Sequence, residues 1–284
     1  MNQKAYQEIT NKIIEQLQNA TVPWEQPWFG ANGATSYATG KQYSLLNQLL
    51  LGDSSEYLTW NAIQQYGAHL RKGSRGKRIF LYKTLSKPVT DDKGEIVSIK
   101  QIPYLRTYTV FKVDDCDGIK PRWQTKHDGV TDTSSIKQFE NVIQKYLDRE
   151  HIELKHDTNE AYYSKKYDFI NLPPISNFKS VEDYAGTLAH EVTHSTGTAH
   201  RLNRNPNNIP APFGSKEYSR EELVAEMGAS FMLKKFNIDT QRTLEQNAAY
   251  IKNWISVLSN DISLVAVAAG RAEKAVQFIL GDNE

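Results

Sequence analysis

The stretch "TLAHEVTHSTGTAHRLNR", residues 187–204, holds three of the chain's seven histidines: His190, His194 and His200. The first two bracket Glu191 in the spacing H-E-x-x-H. Residues four apart lie on one face of a helix, so His190 and His194 can offer two imidazoles to one metal ion. Glu191 projects beside them and can reach a metal-bound water. The flanking residues predict a helix over 181–196. Ser180 with Asp183 three residues on is a capping-box start, and Gly197 suits the position just past a helix end. Tyr184, Ala185, Leu188, Ala189 and Val192 form a separate apolar stripe that can bury the helix against a core.

A third ligand has several candidates. "HEVTHSTGTAH" fits H-E-x-x-H-x-x-G-x-x-H letter for letter, a pattern in which the last histidine, here His200, returns to the metal. That class also needs a Met-containing turn, and the later Met227 and Met232 fall inside a strongly helical stretch. The alternative is "SREELVAEMGASFMLKKF" (219–236), where Glu222 and Glu226 share a helix face. One can ligate while the other orients a ligating histidine; an acid at this distance makes a gluzincin-like site. Glu222 also has a plain structural use, closing a capping box with Ser219, and Glu226 can be a solvated helix face. The residues alone leave Glu222, His200 and Glu226 open. Tyr218, just before this helix, is a candidate oxyanion donor, a packed or surface tyrosine being the simpler reading.

Around this site the chain is 284 residues long, 39% hydrophobic and 24% charged, enough for one large or two modest domains. Its single cysteine, Cys116, excludes a disulfide framework and a Cys-rich zinc site, and fits a reducing cytoplasm. The N-terminus shows no apolar signal core and no run approaches a membrane span, so no membrane role is expected. Net charge is +1, but residues 1–130 carry 17 Lys+Arg against 12 Asp+Glu, and the remainder 17 against 21. The first half is therefore the candidate for a polyanion.

Helical periodicity over 3–20, 42–51 and 56–69, followed by strands at 77–85 and 104–113, gives an α+β first half. Asp91–Gly94 reads as a hairpin tip. The polar, Gly/Pro-punctuated stretch 117–135 reads as the boundary between domains 1–125 and 126–284. The second half is mostly helical, with helices near 136–149, 181–196, 219–236, 242–259 and 263–280. Its small sheet comes from 161–173, where Tyr162 and Tyr163 offer either ordinary sheet packing or an edge for an extended peptide.

"RKGSRGKRIFLYK" (71–83) carries Arg71, Lys72, Arg75, Lys77, Arg78 and Lys83 with no acid. Such a run can contact phosphates, its bland alternative being a solvated hairpin. Trp24, Trp28, Trp60, Tyr66, Tyr82 and Tyr108 are candidate stacking platforms for single strands, although any one of them is more readily core. Trp60 and Tyr82 are taken with Arg71, Lys72, Arg75, Lys77 and Arg78 as the DNA-contacting set.

Taken together, these motifs resemble the ArdC-type antirestriction proteins of plasmids, phages and other mobile elements. The resemblance runs through "VPWEQPW", "YLTWNAIQQYGAHLRKGSRGKRIFLYK", "LRTYTVFKVDDCDGI", "AYYSKKYDFINLPP", "YAGTLAHEVTHSTG", "HRLNR" and "FGSKEYSREELVAE", in order along nearly the whole chain. It implies an N-terminal single-stranded-DNA-binding domain and a C-terminal zincin-like metallopeptidase domain, the latter also found in polyvalent proteins. It implies zinc on His190 and His194, Glu191 as general base and Glu222 as third ligand, with Mn2+ or Co2+ as alternative metals. The position of His200 is variable in the family. Leu45 stands where the family tends to have a glycine. The expected partners are single-stranded DNA and a protein substrate, such as a host restriction or DNA-bound protein. The rival readings are a non-catalytic DNA-shielding module with a structural metal, and a protease without a DNA role.

Overall fold

Helix α1 (Gln3–Gln18) buries Ala5, Ile9, Ile13 and Leu17 along one stripe, as its periodicity requires. The computed structural model describes residues 3–25, 33–90, 95–122, 133–204, 215–238 and 248–281; the expected hairpin tip and most of the expected boundary lie outside these. After α1 come β1 (Thr35–Ser36), α2 (Leu45–Leu51), β2 (Glu56–Thr59), α3 (Trp60–Gln65) and β3 (His69–Leu70). A long antiparallel hairpin follows, β4 (Lys77–Thr90) and β5 (Ile96–Lys112), paired from Lys77–Val110 to Thr90–Ile96. The sheet order is β1-β2-β5-β4, and β3 pairs separately with β6 (Cys116–Asp117).

The helix expected over 56–69 is a correction. Glu56–Thr59 is a strand and only Trp60–Gln65 is helical. Tyr57 and Leu58 are adjacent, so a strand points them to opposite faces, and both faces are covered: Tyr57 packs with Ile79 and Val110, Leu58 with Ile63 and Val113. That double burial hid the period-2 signal. Thr59 then caps α3, its hydroxyl accepting from the Ala62 amide at 3.3 Å. Asn47 on α2 does a strand's work: its side-chain amide donates to the Phe80 carbonyl and accepts from the Phe80 amide, at 2.9 and 2.8 Å. Leu45 opens α2 as a buried core residue, its amide donating to Glu273 at 3.3 Å.

The second half contains α4 (Thr133–Glu150), β7 (Glu153–Lys155), β8 (Tyr162–Ser164), β9 (Phe169–Asn171), α5 (Val181–Ser195), α6 (Lys216–Lys235), α7 (Ala248–Asn260) and α8 (Leu264–Leu280). The small sheet runs β7-β9-β8, with β7 parallel and β8 antiparallel to β9. This is the α+β architecture expected, a mixed first half and a mostly helical second half with a small sheet. No single helix among the described residues is long and apolar enough to cross a membrane.

One hydrophobic core joins the halves. The buried stripe of α1 and the leucines of α2 pack with Leu223, Val224 and Met227 of α6, Trp254 and Leu258 of α7, and the alanine-rich face of α8. Thr10 adds a hydrogen bond to the Ile262 carbonyl at 2.7 Å. Trp24 is 1% exposed and sits edge-on to Trp254 at 5.9 Å, so it is core and not a stacking platform. A second core, between α4, α5, α8 and the small sheet, receives the apolar stripe of α5.

Candidate metal centre

Helix α5 begins where the sequence places it: the Ser180 hydroxyl accepts from the Asp183 amide at 3.1 Å. Its stripe Tyr184, Ala185, Leu188, Ala189 and Val192 is buried, which leaves His190 and His194 on the face turned to α6. Helix α6 starts earlier than expected. Ser215 is its cap, accepting from the Tyr218 amide at 3.1 Å, and Ser219 lies inside the helix. Glu222 therefore closes no capping box. The helices meet at Gly228 and Thr193; a Cβ on Gly228 would lie 2.6 Å from the Thr193 methyl carbon. That close approach lets side chains one to two turns away converge.

His190 Nε2 and His194 Nε2 are 3.1 Å apart. Each lies 3.5 Å from a different oxygen of Glu222. A tetrahedral ion with bonds of about 2.0–2.1 Å holds its ligands roughly 3.3 Å apart, so these three groups have the spacing and the donor chemistry of a divalent-metal site. Among the described residues they form the cluster of metal-ligating groups. Burial disfavours a charged His190, but the Glu222 carboxylate and the charges of Glu226 and Glu191 outweigh it and push the imidazole up. Burial likewise works against the Glu222 anion, and the two histidines hold it down. Surplus negative charge thus surrounds the point where the three donors meet. Glu191 is buried beside them. Tyr218 contacts the Glu222 carboxylate, and burial with the Glu222 and Glu191 charges pushes its phenol up, keeping it protonated.

His200 is elsewhere. Its side chain is 58% exposed and its Nε2 lies 3.5 Å from Asp168. Gly197 sits where expected, just past the Thr196 cap that ends α5, its amide donating to the His194 carbonyl at 2.9 Å, and it does so without a left-handed φ. A Cβ there would stand 3.0 Å from the Arg204 guanidinium and 3.2 Å from Glu221. The glycine makes room for a buried ion pair.

That pair is what sequence reasoning missed. Arg204 Nη2 and Nε meet the two oxygens of Glu221 at 2.7 and 3.2 Å, and Arg204 also donates to the Thr196 hydroxyl at 2.6 Å and the Thr193 carbonyl at 2.9 Å. Glu221 Oε1 faces His194 Nδ1 at 3.6 Å, and that nitrogen is buried with no hydrogen bond. Burial opposes the Glu221 charge, but His194 and Arg204 overcome it and bring the carboxyl to about 2. Glu221 is thus an acid placed behind the candidate ligand His194. Glu226 lies one turn beyond Glu222, where its charge acts on His190 and Tyr250. The signal available in sequence was the second basic residue of "HRLNR". Its first, Arg201, is wholly buried on Asp168 and Glu150 at 2.9 and 3.1 Å.

The basic run divides in the same way. Lys77 points inward, its Nζ at 2.7 Å from Asp53 and 2.5 Å from the Leu51 carbonyl. Arg78 pairs with Glu8 of α1 at 2.8 Å. Arg71 reaches Asp117 at 3.5 Å and the Asp114 carbonyl. Lys72 and Arg75 are exposed and have no ion pair among the described residues. Trp60 is exposed, and Tyr66 is exposed against the edge of Tyr37. Tyr108 is half-buried beneath Arg106. The Tyr82 side chain and Trp28 lie outside the described residues.

Two family models match the chain. The family model for the N-terminal domain of anti-restriction factor ArdC matches residues 3–111, and that for a zincin-like metallopeptidase matches residues 141–271. The chain is 30% identical over 297 residues to a DNA primase TraC of Escherichia coli, covering 97% of this chain but only 27% of the primase. The structure superposes on the antirestriction ArdC protein from R388 plasmid, crystallised metal-free, with TM-score 0.72 and 28% identity over 98% of both chains. The Mn(II)-bound crystal form of that protein gives TM-score 0.72 and 28% identity over 98% of this chain and 97% of that one. Two domain models in tandem, and one solved fold running through both, make this chain a member of the ArdC antirestriction family.

Proposed function

We propose that the chain engages single-stranded DNA through residues 1–125 and hydrolyses peptide bonds with a zinc-dependent site in residues 126–284, in the cytoplasm of a bacterium receiving foreign DNA. The observation that carries the enzymatic part is the convergence of His190, His194 and Glu222 beside the buried Glu191. Zinc there would polarise the scissile carbonyl and lower the pKa of a water to about 7. Glu191 takes the proton of the attacking water and returns it to the leaving amine. Tyr218, protonated and next to Glu222, donates a hydrogen bond to the developing oxyanion. Strand β8 is an edge of the small sheet against which an extended peptide can pair. The Mn(II) of the R388 protein makes manganese the first alternative metal to assay. The protein encountered at the incoming strand, such as a restriction or DNA-bound protein, is the proposed substrate.

Hydrolysis of such a protein is expected to stop on chelation and return with zinc. Affinity for a single-stranded oligonucleotide is expected to fall with salt, with a log–log slope of about −2 if roughly three phosphates are neutralised. DNA binding without hydrolysis would leave a shielding module with a structural metal. Hydrolysis without DNA binding would leave a protease whose basic half recognises acidic protein.

A further inference from the structure

We infer that Trp60 and Phe111 form the base-stacking platform for single-stranded DNA, with Gly76 as its floor and Lys72 and Arg75 as its phosphate contacts. This rests on the proposed DNA-binding role and gives it an address. Trp60 is the first residue of α3, and its side chain is 49% exposed. Its ring stands 6.3 Å from that of Phe111, at 65°. Phe111 is half-buried in β5 opposite Leu58, so the backbone beneath the pair is a rigid sheet.

Gly76 directly precedes the β4 residue that pairs with Val110, so it lies beside Phe111. A Cβ at position 76 would meet the Phe111 ring at 2.9 and 3.0 Å and would also overlap the Thr109 methyl. The missing side chain leaves the space that the Phe111 ring occupies. It also brings the 71–76 loop against the aromatic pair. Gly73 gives this loop a left-handed turn, φ +94°, with open space around it. The loop presents Lys72 and Arg75, whereas Arg71, Lys77 and Arg78 are engaged by Asp117, Asp53 and Glu8.

An exposed indole on a half-buried ring, with cations that have no ion pair among the described residues on the adjoining loop, matches a polymer of flat bases on an anionic backbone. A duplex hides its base faces, so the platform selects single strands.

The test is fluorescence anisotropy of a labelled oligo-dT with the full chain. Trp60→Ala is expected to weaken binding about tenfold, as loss of one stacked base does, while Trp60→Phe stays within a few-fold. Lys72→Gln with Arg75→Gln, both on an exposed loop, is expected to flatten the salt slope by about 1.4. This pair keeps the test valid should Trp60→Ala fold poorly. Wild-type affinity in Trp60→Ala, or an unchanged slope in the loop variant, overturns the platform while leaving DNA binding intact. Wild-type protein that ignores oligo-dT at low salt overturns the DNA-binding reading itself. An equal loss on duplex DNA rules out stacking.

Discussion

Replacing Glu191 by Gln is expected to reduce peptide hydrolysis by about 10²- to 10⁴-fold, the usual contribution of a positioned general base. The substitution keeps size and shape, so the buried site loses one proton acceptor and little packing. Glu191 is not one of the three groups whose donor atoms converge. Metal affinity is therefore expected to stay within a few-fold of wild type, so the loss should fall on turnover. Single-turnover cleavage, with zinc binding measured on the same preparation, separates these effects. Full hydrolysis by the Gln variant would remove Glu191 from the mechanism.

The second large effect is expected at a residue that touches no candidate metal ligand directly. Arg204→Ala leaves the buried Glu221 carboxylate without its bidentate partner, and breaking such a pair costs about 3–5 kcal/mol. Arg204→Lys should recover only part of this, because a single ammonium cannot reproduce the fork. The deficit should depend on pH. The folded Glu221 carboxyl is held at about 2, against an ordinary 4.5, so its stabilisation is complete above pH 4.5 and disappears as pH falls through 2. The wild-type and Arg204→Ala unfolding curves should accordingly be furthest apart above pH 4.5 and converge on acidification. Zinc affinity should also fall, by about 10- to 100-fold, because Glu221 is the carboxylate that faces the far nitrogen of His194, the place from which a ligating imidazole is oriented. Urea titrations across pH, with calorimetric zinc binding, check both parts. A variant with wild-type stability and affinity would reduce the pair to a bystander.

Local rules carried the sequence reading a long way around the metal centre. Ser180 marked the start of α5, the four-residue spacing put both histidines on one face, and the apolar stripe told which face is buried. What stayed hidden depends on pairings far apart in the chain. Glu221 and Glu222 are adjacent letters; only the α5–α6 approach at Gly228 and Thr193 sends one towards His194 Nδ1 and the other towards both Nε2 atoms. Gly197 was legible as the residue just past the helix end, but not as the residue whose smallness accommodates Arg204. The basic run looked uniform because Asp53 and Glu8, which neutralise Lys77 and Arg78, are distant in sequence. Burial on both faces made strand β2 look helical. Helix α1 gave no sign in sequence that its apolar stripe would pack with α6, α7 and α8 as well as with α2.

The central claim is that the metal sits between His190, His194 and Glu222, with His200 outside. Isothermal titration with zinc, on wild type and on His190→Ala, Glu222→Ala and His200→Ala, tests it most directly. The expected result is one tight zinc per wild-type chain, lost or strongly weakened in His190→Ala and Glu222→Ala and unchanged in His200→Ala. Tight zinc retained by Glu222→Ala but lost by His200→Ala would contradict it.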